Sequence, residues 1–387
     1  MAAHALTSVP PASGRLLSID ALRGLVMLLM LVDHVREFVY LHGQVRDPMD
    51  LSLTPPDLVL TRLTSHLCAP VFILLTGLSA SLHAHKHGDR RATSVFLAKR
   101  GLLLILLEVT LVNFAWTRSL LPPILYLQVI WAIGLSMVAL AGLLWLPRAG
   151  LILFALAVML GHNGLDGLVL GPGDTGYMLW SILHQRGVID LPWGVARTSY
   201  PVLPWFGVIA AGYALGLLFA GPIAPATRRA WLLALGGAAL AAFLTLRSFN
   251  GYGEPVPWQT GATPFVTALS FVNLTKYPPS ADFLLLTLGL GLWLLALFEA
   301  VPPQGLGVLR TFGGAPLFFY LAHLWLLRLL HDGALALGLA GPSGRIEAAA
   351  PWQIWLVAAI LVTPLWLACR WMVRLKRRAA WSALSYL

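Results

Sequence analysis

Charge is scarce in this chain. Asp, Glu, Lys and Arg make up 11% of its 387 residues, against about 25% in a soluble domain. That scarcity excludes a large soluble core. Acids are scarcer than bases, 16 against 26, for a net charge of +10. Cysteine occurs twice, at Cys68 and Cys369, too few for a disulfide framework or a cysteine zinc cluster. Both read as buried thiols. No GxxxxGK[ST], GxSxG or HExxH motif occurs, so nothing marks a P-loop, a hydrolase elbow or a helical zinc protease. There is no internal repeat, no low-complexity tract and no sharp internal domain boundary. The first 14 residues lack a charged n-region and a short apolar core, and no cleavable signal peptide is expected.

What the chain has instead is apolar length. Its hydrophobic content is 58%, with 15 Trp and a mean hydropathy of +0.78. Trp is favoured at membrane interfaces. Apolar segments long enough to span a bilayer recur about ten times, near 21–41, 58–82, 101–117, 124–146, 149–165, 201–220, 230–247, 281–300, 313–332 and 352–373. The fold class expected is all-α: a polytopic transmembrane helical bundle of about ten spans. Residues 1–14 read as an N-terminal tail, 15–373 as the transmembrane domain and 374–387 as a basic C-terminal tail.

Basic residues cluster in alternate short connections, among them Lys86, Arg90, Arg91, Lys99, Arg100, Arg148, Arg228, Arg229 and Arg310, and again in the tail at Arg374, Lys376, Arg377 and Arg378. The positive-inside rule then puts both termini in the cytoplasm. It also argues against nucleic acid as the partner of the positive charge. The connections 42–57, 166–200 and 248–280, long and rich in Gly, Pro and Trp, fall outside, where loops of that length are usually functional.

Ionisable residues inside such segments need a partner or a task. Asp33 and His34 are adjacent near the far end of the first segment. A carboxylate beside an imidazole suits a general base, though neighbours on a helix diverge by about 100°, so another helix has to orient either one. Arg62 and His66 are four apart on the second helix. Arg62 suits a carboxylate or phosphate, or simply neutralises Asp33. Glu108 lies deep in LLLILLEVTLVNFAW, Lys276 enters the eighth segment within KYPPS, and His323 sits mid-segment in PLFFYLAHLWLL. Each also has a structural reading: a buried pair for Glu108, a snorkelling cation for Lys276, a satisfied core imidazole for His323. His83, His85 and His87 alternate in HAHKHGDRR and read as a solvated basic loop rather than a metal site. With Arg15 and Arg23, that basic face suits a phosphorylated donor or anionic headgroups.

These stretches jointly resemble a known family. RLLSIDALRGLVMLLMLVDH, TRLTSHLCAPVFILLTG, LQVIWAIGLSM, YPVLPWFGVIAAGYALG, KYPPSADFLLLTLG and FGGAPLFFYLAHL are similar to segments of the DUF1624 membrane proteins. These group with the heparan-alpha-glucosaminide N-acetyltransferase catalytic-domain family and the wider transmembrane acyltransferases. The resemblance implies transfer of an acyl (acetyl) group from cytoplasmic acyl-CoA to an extracytoplasmic hydroxyl or amine, on a glycan or glycolipid acceptor. The lysosomal relatives read V-N-Y where this chain has Val32-Asp33-His34, so Asp33 matches an Asn that assists catalysis there. Their catalytic His corresponds by spacing to the neighbourhood of Pro56, which leaves the base role here to His34 or His66. His323 matches a His in the family's late YxxH-like element.

The resulting expectation is a multi-pass enzyme of the bacterial inner membrane. His34 or His66 is its base, oriented by Asp33. Arg62, Lys276, His323 and Glu108 are placed on the substrate side, and Arg15 and Arg23 on the CoA phosphates. No metal is expected, the bilayer is a partner, and a homodimer stays open. The competing reading is a transporter or flippase for a lipid or small anion that uses the same intramembrane charges. A non-catalytic partner in an envelope complex is a third.

Overall fold

The computed structural model describes residues 16–41, 54, 56–341 and 344–378. Of the described residues, 73% are helical. In chain order the helices are α1 (Leu17–Phe38), α2 (Pro56–Thr64), α3 (Cys68–His87), α4 (Arg90–Leu107), α5 (Asn113–Thr117), α6 (Val129–Leu143), α7 (Arg148–Gly161), α8 (Tyr177–Leu183), α9 (Leu203–Leu215), α10 (Leu217–Ala220), α11 (Pro225–Phe249), α12 (Pro264–Val272), α13 (Ala281–Ala300), α14 (Gly307–Gly313), α15 (Pro316–Ala336) and α16 (Pro351–Arg378). A 3-10 turn, Ser65–Leu67, joins α2 to α3, and a π-helical turn, Glu108–Val112, joins α4 to α5. Five short strands, β1 (Tyr40–Leu41), β2 (Ile124–Leu127), β3 (Gly187–Leu191), β4 (Gly194–Thr198) and β5 (Glu347–Ala348), lie in the connections. β1 pairs with β5, and β4 is flanked by parallel β2 and antiparallel β3.

Helix ends follow the local chemistry. The Asp89 carboxylate accepts from the amides of Arg91 and Ala92 to cap α4, and the Ser280 hydroxyl caps α13 through the Phe283 amide. Pro225, Pro264 and Pro316 open α11, α12 and α15, where their missing N–H costs nothing. Gly88, in the left-handed region at φ 68°, ends α3.

Six helical stretches are long and apolar enough to cross a membrane: Asp57–His87, Arg148–Leu165, Leu203–Ala220, Pro225–Phe249, Ala281–Ala300 and Pro351–Lys376. The pair Pro303–Gly313 and Pro316–Ala336, bent by 65°, makes a seventh if it is one span. The ten apolar segments of the sequence therefore reduce to six or seven by length and composition among the described residues. The shortfall has local causes. α1 carries Asp20, Arg23, Asp33, Arg36 and Glu37. The helical path from α4 to α5 passes through the π turn. The segment beginning at residue 124 starts as a strand, which leaves α6 only 15 residues.

α1 sits at the centre, touching α3, α13, α14, α15 and α16. Close approach depends on glycine. A Cβ on Gly77 of α3 would collide with the Ile209 carbonyl of α9, and one on Gly212 of α9 with the Leu74 carbonyl of α3. Without hydrophobic drive between helices in lipid, such backbone contact is the main packing force. The periphery is apolar, with Ile152, Leu153, Leu156, Trp231, Leu233 and Leu244 exposed on α7 and α11.

Polar contacts define two ends of the bundle. At one, Glu299 of α13 accepts from Ser18 of α1 (3.1 Å) and Arg228 of α11 (2.6 Å). At the other, Arg247 is fully buried and donates to the carbonyls of Val256, Ser270, Phe271 and Asn273. That clamp organises the long connection after α11.

Candidate functional site

One cavity of about 710 Å³ runs along α1 and α3. It is lined on α1 from Arg23 to His34, ~17 Å at a rise of ~1.5 Å per residue, and on α3 from Cys68 to His87, ~28 Å. Its two ends differ in chemistry. Arg23, His83, His87, Arg100 and Lys376 line one end. Asp33, His34, Tyr200 and Lys276 line the other. Between them the wall is largely apolar, with Met27, Met30, Phe72, Ala80 and Leu104.

At the end of this passage away from the bases, His34 meets His323. Nδ1 of His34 lies 2.6 Å from Nε2 of His323, with the ring centroids 4.9 Å apart and the ring planes within 2° of parallel. Nδ1 of His323 lies 2.8 Å from the Phe319 carbonyl. A carbonyl only accepts, so His323 carries its hydrogen on Nδ1 and its Nε2 is an acceptor. His34 must then donate from Nδ1, and its Nε2 keeps a lone pair. His34 lines the cavity. His323 is fully buried behind it, and Trp116 and Tyr320 stand edge-on to the His34 ring. The carbonyl fixes one tautomer and the relay passes it on, so His34, which lines the cavity, keeps Nε2 unprotonated.

Asp33, one residue earlier, turns away from His34. Its Oδ1 accepts from Arg36 (3.1 Å) and its Oδ2 from Arg62. Arg62 also reaches Ser65 and the Tyr277 hydroxyl, which lies 3.2 Å from that of Tyr200. Burial, then Tyr277, pushes the Tyr200 hydroxyl well above its ordinary value. Burial also works to raise Tyr277, but Lys276 and Arg62 outweigh it and hold that hydroxyl below the ordinary value. The guanidinium of Arg62 is thus committed to a carboxylate of the protein itself.

Lys276 is different. The residue is only 7% exposed, which is costly for an ammonium. Among the described residues its ammonium makes no hydrogen bond or ion pair; it lies 5.5 Å from the Tyr277 ring and feels the Asp33 carboxylate at longer range. It lines the same cavity end as His34. A buried cation without a counterion makes that end attractive to an anion or to a carbonyl oxygen gaining negative charge.

The other residues singled out from the sequence are placed as follows. His66 is buried edge-on against Phe283 and does not line the cavity. Glu108 is fully buried and accepts from the amides of Gln128 (3.3 Å) and Trp131 (3.1 Å), where it holds the start of α6 away from the cavity. Asn113 pins the preceding strand by accepting from the Tyr126 amide and donating to its carbonyl. Arg23 lines the basic end, where it donates to Asp20, Ser79 and the Gly313 carbonyl. Arg15 lies outside the described residues. Tyr200, Tyr277 and Arg36 were not singled out. Each has a local signal: Tyr277 its place in KYPPS, Tyr200 its place at the head of YPVLPWFG, and Arg36 its spacing of three from Asp33.

An apolar helical bundle that buries imidazoles, a carboxylate pair and a lone ammonium around a passage lined by bases is a multi-pass membrane protein with a chemical site. Its kind is settled by sequence kinship: residues 15–247 match the family "Heparan-alpha-glucosaminide N-acetyltransferase, catalytic". The chain belongs to that family and is an N-acetyltransferase-like membrane enzyme. No curated protein shows significant similarity to it. The match carries Asp33, His34, Arg62 and His66, whereas Lys276 and His323 lie beyond it and reach the same place through the fold.

Proposed function

We propose that the protein transfers an acyl group, acetyl in the simplest case, from cytoplasmic acyl-CoA to a hydroxyl or amine on an extracytoplasmic glycan or glycolipid. The observation that carries this reading is the continuity of one cavity between a basic end and His34 with Lys276. CoA itself is too polar to cross lipid, so its phosphates stay at the basic end and the pantetheine arm follows the apolar passage. Arg23, Arg100 and Lys376 line that end. This assignment makes the basic end cytoplasmic, together with both termini, and residues 15–373 the catalytic domain. In this reading the ten apolar segments all cross or enter the bilayer, with α1 and the α4–α6 region enclosed by the more apolar helices.

The chemistry assigned to the distal end is direct transfer. Nε2 of His34 takes the proton from the acceptor O–H or N–H as that atom attacks the thioester carbonyl. The ammonium of Lys276 stabilises the oxyanion. The C–S bond breaks, the CoA thiolate receives the proton from His34, and the acylated acceptor leaves outward. His323 positions His34. Asp33, neutralised by Arg62 and Arg36, fixes the outer ends of α1 and α2 and sets the local field. His66 and Glu108 are left with packing roles.

The test uses the full-length protein in sealed proteoliposomes, with labelled acetyl-CoA on the basic side and an amino sugar or glycolipid acceptor on the other. Label should appear in the acceptor with wild-type protein and not with His34→Ala. Substrate-dependent proton flux without thioester consumption would instead favour the transporter reading.

A further inference from the structure

Away from the cavity, at the opposite end of the bundle from the basic mouth, the connection after α7 folds back on itself and brings together His162, Asp166 and His184. One ligand atom from each lies within 4.8 Å of the others. We propose that these three residues bind one divalent transition-metal ion of the zinc class, independently of the transfer reaction.

The geometry has the right scale. A tetrahedral ion with bonds of ~2.0–2.1 Å needs ligand atoms ~3.3 Å apart. Nδ1 of His162 and Nε2 of His184 are separated by 3.3 Å, and Nε2 of His184 and Oδ1 of Asp166 by 3.6 Å. Both histidines are nearly enclosed, at 2% and 3% exposure. The Asp166 side chain is 30% exposed, which leaves an entry path and an open fourth position.

The surroundings orient the set. Asn163 donates to Oδ2 of Asp166 (2.8 Å), which leaves Oδ1 turned to His184. The indole of Trp180 stacks on His184 at 4.9 Å. A second contact of Asn163, accepting from the Ala281 amide at the start of α13 (2.8 Å), ties the group to the bundle. Such outer contacts fix ligand orientation in metal sites.

Between two facing neutral imidazole nitrogens one N–H can lie, and here the contact from Nε2 of His184 to Nδ1 of His162 is long, at 3.3 Å. Nε2 of His184 also lies 2.9 Å from the His162 carbonyl, so that hydrogen is shared between the carbonyl and the ring. A metal ion takes its place once the His184 hydrogen moves to Nδ1. Two neutral imidazoles and one carboxylate suit zinc and its neighbours and not magnesium or calcium, which take oxygen ligands.

The experiment strips the full chain in detergent with EDTA, equilibrates it with Zn2+ alone and measures bound metal by mass spectrometry. One zinc per chain is expected. His184→Gln and Asp166→Asn should lose it. The triple variant His83→Gln/His85→Gln/His87→Gln should keep it, which separates this site from the histidines at the end of α3. Asn163→Ala should weaken zinc binding ~10–100-fold while keeping all three ligands. Co2+ in place of zinc should give the visible absorption of a four-coordinate centre, lost in His184→Gln. Zinc retained by His184→Gln and Asp166→Asn, or no stoichiometric zinc on the wild type, overturns the proposal. Because thermal melting of each variant is measured alongside, a misfolded variant is recognised, and the cobalt spectrum of the wild type alone still decides.

Discussion

Nδ1 of His34 and Nε2 of His323, 289 residues apart in sequence, are 2.6 Å apart in space. The Phe319 carbonyl behind His323 sets the direction of both hydrogens. His34 lines the passage and His323 fixes its tautomer from behind, and the proposed mechanism makes the first the reacting group and the second a positioning group. The two should therefore fail differently on substitution.

His34→Ala is expected to lower kcat by ~10²–10⁴, the usual worth of a positioned base. His323→Ala should lower kcat less and leave KM for the acyl donor near its wild-type value. His323→Gln, which retains an acceptor facing His34, should recover part of the rate. Steady-state kinetics in proteoliposomes checks this, and equal losses in KM for both variants would contradict the division of roles.

Lys276 has no protein counterion among the described residues, so its charge is available to the reaction. Lys276→Met should reduce kcat ~10²–10³-fold, as removing an oxyanion donor does. The variant should melt no lower than the wild type, since a buried unpaired charge is relieved. Lys276→Arg should regain part of the activity.

Asp33 and Arg62 form a buried pair with side chains 14% and 13% exposed. Removing Asp33 leaves the Arg62 guanidinium without its carboxylate, at about 3–5 kcal/mol for a well-buried pair, whereas removing Arg62 leaves Asp33 held by Arg36. Asp33→Asn should lower the melting temperature clearly, and Arg62→Met less. The double variant should lie above the sum of the two losses, a coupling measurable by a double-mutant cycle in detergent.

Ala80 is 4% exposed and lines the passage between its two ends. Ala80→Trp should obstruct the passage and abolish transfer with His34 and Lys276 intact. Binding of CoA at the basic end, measured by calorimetry, should persist.

Gly77 and Gly212 let α3 and α9 touch backbone to backbone. Neither position has room for a Cβ without shifting a helix. Gly77→Leu should destabilise the bundle by several kcal/mol, in the range of overpacked cores, and appear as loss of monodisperse protein in size-exclusion chromatography.

The apolar runs, the scarcity of charge and the first helix were legible in the sequence, because lipid forces long apolar helices and makes each intramembrane charge conspicuous. Polar positions such as Asp33, His34, Lys276 and His323 stand out for the same reason. Their pairings do not. Arg62 and His66, four apart, would share one face of a regular helix, but the 3-10 turn at Ser65–Leu67 breaks the phase. Arg62 reaches Asp33, whereas His66 turns to Phe283. Glu108 drew notice as a buried carboxylate, yet its partners are backbone amides, which no residue pattern encodes.

The sequence by itself determined that this chain lives in a membrane, that its polar residues are few and costly, and which family it joins. Only the tertiary structure decided that His34 meets His323, that Arg62 pairs with Asp33 while the Lys276 ammonium makes no ion pair among the described residues, and that one cavity links the basic end to them. The reason is physical: burial cost is a property of each residue and can be read locally. Partnership between side chains hundreds of positions apart depends on where packed backbones, spaced by single glycines, bring helices into contact.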